Sequence, residues 1–208
     1  MTRVCAFASG RGSNLRALVE AHESGRCAAE VVAVVSDRSD APALAFAKER
    51  RLATHVVPFR RQERDAWNRQ LAEAFTASEA TWAVLAGFMR IVGTPLLETT
   101  GGRIVNVHPS LLPAFPGLHA PAQAIAAGVR VSGCTVHLVD GGVDTGPVLA
   151  QASVPVFQDD DETALHARIQ QVEHQLLPFV LDAIALGRLD ERARWRDGGR
   201  SVAERAWR

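Results

Sequence analysis

The sequence predicts a single-domain α/β fold: a mostly parallel, twisted sheet with flanking helices, and antiparallel strands late in the chain. Three observations carry that expectation. Short β-branched runs alternate with helical patterns over the first half, as crossovers between parallel strands require. After about residue 130 two strand-like runs are separated only by a glycine-rich loop, which suits an antiparallel pair. Finally, 208 residues at 47% hydrophobic content fill one substantial core and fall short of two.

Element by element, residues 4–8 read as the first strand and 14–23 as a helix with Leu15, Leu18 and Val19 on one face. Residues 30–36 form a second, fully buried strand, 41–51 a second helix and 54–58 a third strand. Residues 63–75 carry Trp67, Leu71 and Phe75 on one helical stripe, and 81–86 and 103–107 are further strands. The late pair is 132–139 and 148–156. Asp159, Asp160, Asp161 and Glu162 then precede a long helix to about residue 186, with Leu165, Ile169, Val172 and Leu176 facing inward. Acids at that point cap and complement a helix N-terminus. The expected organisation is one domain over 1–189 and an Arg-rich tail over 190–208, which holds Trp195 and Trp207 and shows no clear period.

Lys plus Arg and Asp plus Glu both total 23, so no bulk charge draws the chain to nucleic acid or an anionic membrane, and any anion must be bound locally. Cys5, Cys27 and Cys134 lie far apart with no CxxC, an odd set that fits a reducing compartment and argues against structural zinc or thioredoxin-like chemistry. The apolar stretch at 4–8 is too short for a signal peptide, and no run approaches membrane-spanning length. A cytoplasmic location, small-molecule substrates and a monomer or homodimer are expected.

Ser9-Gly10-Arg11-Gly12-Ser13-Asn14-Leu15 follows a strand and opens a helix, so its N–H groups and the helix dipole suit a phosphate. No Gly-Lys-Ser/Thr follows, and Leu15 stands where a dinucleotide fingerprint has its third glycine, which disfavours ATP and NAD. The segment alone equally fits a plain glycine turn with Ser13 or Asn14 as N-cap.

Residues 103–109 read as a buried strand whose end carries Asn106 and His108 two apart, hence on the same side. Pro109, Pro113, Pro116 and Gly117 make the following loop stiff. Between the two late strands, Asp140-Gly141-Gly142-Val143-Asp144-Thr145-Gly146-Pro147 can bring Asp144 close to another element's backbone. A carboxylate beside His108 favours the imidazolium, a general acid at neutral pH. Taken singly, a strand-end histidine is a structural hydrogen-bonder and an Asp among glycines a turn former; together with Asn106 and the glycine loop they form a catalytic set. A metal site built from His108, His119, His137 and Asp144 matches no common ligand spacing, and no Gly-x-Ser-x-Gly elbow supports a serine hydrolase.

Together these segments closely resemble the glycinamide ribonucleotide formyltransferases of the folate-dependent formyltransferase superfamily. The resemblance runs to about residue 189 and rests on the glycine loop, Leu85-Ala86-Gly87-Phe88-Met89-Arg90-Ile91, Asn106-Val107-His108-Pro109-Ser110-Leu111-Leu112-Pro113, Phe115-Pro116-Gly117-Leu118-His119, Gly133-Cys134-Thr135-Val136-His137 and Asp144-Thr145-Gly146-Pro147. It implies a Rossmann-like fold and transfer of the formyl group of 10-formyltetrahydrofolate, as cosubstrate and without metal, to the amine of glycinamide ribonucleotide in purine synthesis. By the same resemblance Asn106, His108 and Asp144 are catalytic, Gly12, Ser13 and Asn14 hold the phosphate, and Glu173 the ribose hydroxyls. Met89, Arg90, Ile91 and Val92 line the pterin pocket, with Arg64 near the folate. Ala114 and Pro121-Ala122 depart from the pattern of many relatives, where basic residues and a His-Arg pair are expected. The rival readings are a methionyl-tRNA formyltransferase or a formyltetrahydrofolate deformylase, each expected to carry an extra domain, and a sensor that binds without chemistry.

Overall fold

The computed structural model describes residues 1–196. Seven strands form one sheet in the order β3-β2-β1-β4-β5-β6-β7. The strands are β1 (Arg3–Phe7), β2 (Glu30–Ser36), β3 (Ala53–Val56), β4 (Trp82–Leu85), β5 (Ile104–His108), β6 (Val131–Leu138) and β7 (Val148–Pro155). The first five run parallel, and β6 and β7 pair antiparallel to their neighbours.

β1 shows why this sheet is covered on both faces. Val4, Ala6 and Ala8 join one core, in which Leu15, Leu18, Leu165, Ile169 and Leu177 are buried. The alternate residues Cys5 and Phe7 join the other, with Trp67, Leu71, Phe75 and Leu96. A strand with period-two side chains and no polar face must be sandwiched between helices. Helices α1 (Ser13–Glu23) and α6 (Glu162–Ala185) supply the first layer, and α3 (Arg64–Ala77) and α4 (Thr94–Thr100) the second. Helix α2 (Pro42–Glu49) adds Leu44 and Phe46 to the first, and α5 (Ala120–Ala126) adds Ala124.

The chain builds β1, β2 and β3 outward on one side, then crosses back to place β4 on the other side of β1. The loops after β1 and β4 therefore diverge and leave a crevice at the carboxyl ends of those strands. Ser9 bridges it: its N–H donates to the Gly87 carbonyl at 3.1 Å, and its hydroxyl accepts from the Met89 N–H at 3.0 Å.

The expected elements are present, with shifted ends, and two helices went unforeseen. Both α4 and α5 are seven-residue helices with a proline in the first turn, Pro95 and Pro121, where the missing N–H costs nothing. Asp161 caps α6 as expected, accepting from the Ala164 N–H at 2.7 Å. Helix α1, by contrast, has Gly12 at its N-cap and no side-chain cap from Ser13 or Asn14. The first part of the tail is packed: Trp195 donates to the Leu149 carbonyl at 2.9 Å and stacks on Phe179. Trp207 lies outside the described residues.

All three cysteines are buried and unpaired. Burial pushes the thiols of Cys5 and Cys134 up to about 12 and that of Cys27 up to about 11, so they behave as small hydrophobes. No helix among the described residues is long and apolar enough to cross a membrane.

Candidate active site

Asn106 and His108 stand at the end of β5, and the antiparallel register sets His137 of β6 directly opposite Asn106. Cross-strand partners share a face, and the Asn106 amide nitrogen lies 3.1 Å from His137 Nε2. His137 Nδ1 lies 2.8 Å from the Leu138 carbonyl, which only accepts, so Nδ1 carries a proton.

Asp144 reaches this pair from the β6–β7 loop. Two tight approaches make that possible: a Cβ on Gly146 would sit 1.9 Å from the Leu138 carbonyl oxygen, and one on Gly142 2.1 Å from Thr145 Oγ1. Asp144 itself adopts φ 56, a left-handed conformation that Asp tolerates better than most non-glycine residues. Its carboxylate accepts from the Gly117 N–H at 2.8 Å and lies 3.3 Å from His108 Nδ1, 3.5 Å from Asn106 Nδ2 and 3.6 Å from His137 Nε2. Burial alone would raise this carboxyl's pKa. The His137 imidazole, the Gly117 N–H and the charge of His108 outweigh burial and hold it below the usual carboxylate range.

The other ring nitrogen of His108, Nε2, lies 2.9 Å from the Phe115 carbonyl. Both nitrogens of a ring that is 6% exposed thus face acceptors, and only the imidazolium donates to both at once. The expected trio is brought together, and His137 joins it. In sequence His137 stands out only as a possible metal ligand and a motif residue; its place here comes from the β5–β6 register.

Beside this cluster opens a cavity of about 510 Å³, with Asn106, His108 and Asp144 in its wall. Met89, Arg90, Ile91 and Val92 line it, with Met89 and Ile91 more than half exposed and Val92 buried. Arg64 does not: it opens α3 as an exposed residue outside the lining. His119 lines the rim and pairs with Glu162 at 3.1 Å. His166, also in the lining, is shifted toward its neutral form, by burial first and by the charge of Arg11 second.

The glycine loop lies outside that lining and is joined to it through the bonds of Ser9 to Gly87 and Met89. Gly12 has φ +71, and a Cβ there would lie 2.8 Å from that of Ala43, so the glycine is needed for packing against α2 whatever the loop binds. Asn14 turns inward and donates to Glu173 Oε2 at 3.0 Å. Glu173 alone could pass for a helix-surface acid, yet it is 4% exposed. The inward stripe of α6 held the clue, since position 173 follows Ile169 by four residues. Burial raises the Glu173 carboxyl's pKa, and the Asn14 bond only partly opposes this. Asn14 Oδ1 is buried without a partner among the described residues.

Three comparisons bear on this arrangement. Residues 2–181 match the family model described as formyl transferase. The phosphoribosylglycinamide formyltransferase of Mycobacterium tuberculosis strain H37Rv is 47% identical over 184 residues, covering 88% of this chain and 85% of that protein. The Escherichia coli enzyme of the same name is 41% identical over 195 residues, covering 92% of each. Among solved structures, glycinamide ribonucleotide transformylase 1 from Symbiobacterium toebii superposes with a TM-score of 0.87 at 41% identity, covering 91% of this chain and 90% of that one.

Proposed function

This chain belongs to the formyl transferase family, and from that premise we propose that it transfers the formyl group of 10-formyltetrahydrofolate to the amine of glycinamide ribonucleotide, a step of purine synthesis. The observation that carries the reading is the convergence of Asn106, His108 and Asp144, from two separate segments, on the wall of one cavity to which the phosphate-suited glycine loop is joined through Ser9.

The chemistry follows from the geometry. The amine attacks the formyl carbon, and negative charge develops on the formyl oxygen. Asn106 and His108 are the donors for that oxygen, each worth about 3 kcal/mol when well placed. Their contacts to Asp144, at 3.5 and 3.3 Å, are long for hydrogen bonds, which leaves donor capacity for the developing oxyanion. Asp144 faces His108 Nδ1 and organises proton transfer from the attacking amine to the leaving nitrogen. Such transfer contributes about 10²- to 10⁴-fold. Gly12, Ser13 and Asn14 receive the phosphate, and Glu173 receives the ribose hydroxyls. Met89 to Val92 line the folate side.

A deformylase is the nearest alternative chemistry. A formyltetrahydrofolate deformylase from Pseudomonas syringae shares the fold at a TM-score of 0.85, with 24% identity. The deciding experiment mixes purified protein with 10-formyltetrahydrofolate and follows tetrahydrofolate release with and without glycinamide ribonucleotide. Release that depends on the ribonucleotide, with formylated product, is expected; release independent of it overturns formyl transfer in favour of hydrolysis.

A further inference from the structure

Asp37 follows β2 at its carboxyl end, and its side chain is 1% exposed. Its neighbour in sequence, Arg38, is turned away to a two-bonded pair with Asp40 at 3.1 and 2.9 Å. The cation that reaches Asp37 instead comes from 53 residues away: Arg90 Nε donates to Asp37 Oδ2 at 2.8 Å. Asp37 Oδ1 has no partner among the described residues. A buried carboxylate left half-satisfied is a costly way to hold a loop in place, and an apolar contact would do that better.

What the pair achieves is orientation. The Arg90 guanidinium lies over the Phe59 ring at 4.4 Å from its centroid. With Nε held by Asp37 and one face against Phe59, the ends left to recognise a ligand are Nη1 and Nη2. Arg90 is 40% exposed and lines the 510 Å³ cavity, while Asp37 is absent from that lining. Two terminal N–H groups in one plane form the fork that binds a carboxylate with two parallel bonds.

We propose that Asp37 is a positioning residue that aims the free edge of Arg90 into the cavity and so makes the site selective for a folate whose tail ends in carboxylates. This rests on the folate reading given above. Asp37 touches no substrate and acts only through Arg90.

The test compares 10-formyltetrahydrofolate with its analogue whose glutamate is converted to the diamide, using calorimetric Kd and steady-state kcat and KM on the intact protein. Wild type is expected to bind the diacid about tenfold tighter than the diamide, as befits a charge-assisted pair. Asp37→Asn should bring that ratio to about threefold or less by weakening the diacid alone, with kcat at saturation within about twofold. Arg90→Gln should lower the ratio similarly, and the double variant Asp37→Asn with Arg90→Gln should match Arg90→Gln. The double variant tests whether Asp37 acts through Arg90 alone; should Asp37→Asn misfold, Asp37→Ser, which also removes the charge, is compared with wild type by the same ratio. Equal weakening of diacid and diamide, a wild-type ratio near one, or a further fall in the double variant each overturns the proposal. Because Kd is read independently of turnover, a protein that binds both folates but forms no formylated product overturns formyl transfer, and the binding ratio still judges Asp37.

Discussion

Asn14 and Glu173 are 159 residues apart in the chain and 3.0 Å apart in the fold, joined by a buried amide-to-carboxylate hydrogen bond. The bond ties the first turn of α1 to the middle of α6 beside the glycine loop. It joins a side chain with an unsatisfied oxygen to a carboxylate whose ionised form burial disfavours. Both features fit a site that sacrifices stability to keep polar groups for a ligand.

Replacing Glu173 by Gln separates those two effects. Glu173 has a raised carboxyl pKa, so the native state holds its proton to higher pH than the unfolded chain does. Its contribution to stability is greatest below the ordinary carboxylate value of about 4.3 and falls as pH rises through the raised native one. The Gln variant cannot ionise. Thermal denaturation should show it more stable than wild type at neutral pH, with the gap closing in acid. Calorimetry should show ribonucleotide affinity lowered by about tenfold or more.

Asp144→Asn should reduce kcat by about 10²- to 10⁴-fold with little change in ribonucleotide affinity. Gly117 and His108 share Oδ2, where the amide keeps an oxygen but no charge, while its N–H₂ faces the Asn106 amide nitrogen in place of Oδ1. Stability checks the same assignment. A lowered native carboxyl pKa contributes stability above the unfolded value of about 3.9, which is lost as pH falls through the native one. Acid unfolding in that range should therefore be less steep in the variant.

Gly12→Ala combines a positive φ with a 2.8 Å approach to Ala43. Denaturant unfolding should show a loss of about 2 kcal/mol. Ala43→Gly in the same chain should recover part of it, because it removes the clash and leaves the strained φ. Ribonucleotide affinity should fall further than folate affinity.

Trp195→Ala removes the hydrogen bond to the Leu149 carbonyl and the stack on Phe179. It should lower stability by about 1–2 kcal/mol in urea titration. The residues it touches lie outside the cavity lining, so kcat should be unchanged.

What the sequence made legible was whatever depends on local period. The bounds of β2 agree residue for residue, and the spacing of Asn106 and His108 put both on one side of a strand end. The long apolar stripe of α6 emerged too, although Val172 is only partly buried. The helices α4 and α5 had no such signal, being two turns long with one or two buried positions per turn.

The site residues that stayed hidden depend on pairing between distant segments. His137 matters because of its register with β5, and the burial of Glu173 follows from where α1 packs. Arg64 came from resemblance alone and is not in the cavity wall. Asp37 showed nothing in sequence, because its partner lies across the β1–β4 crevice.

The pairing of Asn106 with His137 also bears on which length changes the chain can absorb. One added or deleted residue inside 131–138 would turn His137 to the opposite face of the sheet and present Val136 or Leu138 to Asn106. Lengthening the surface connections at 127–130 or 156–161 adds only a small loop-closure entropy and leaves the pairing intact. Insertions and deletions in descendants of this gene should accordingly collect at those turns and be purged from β6.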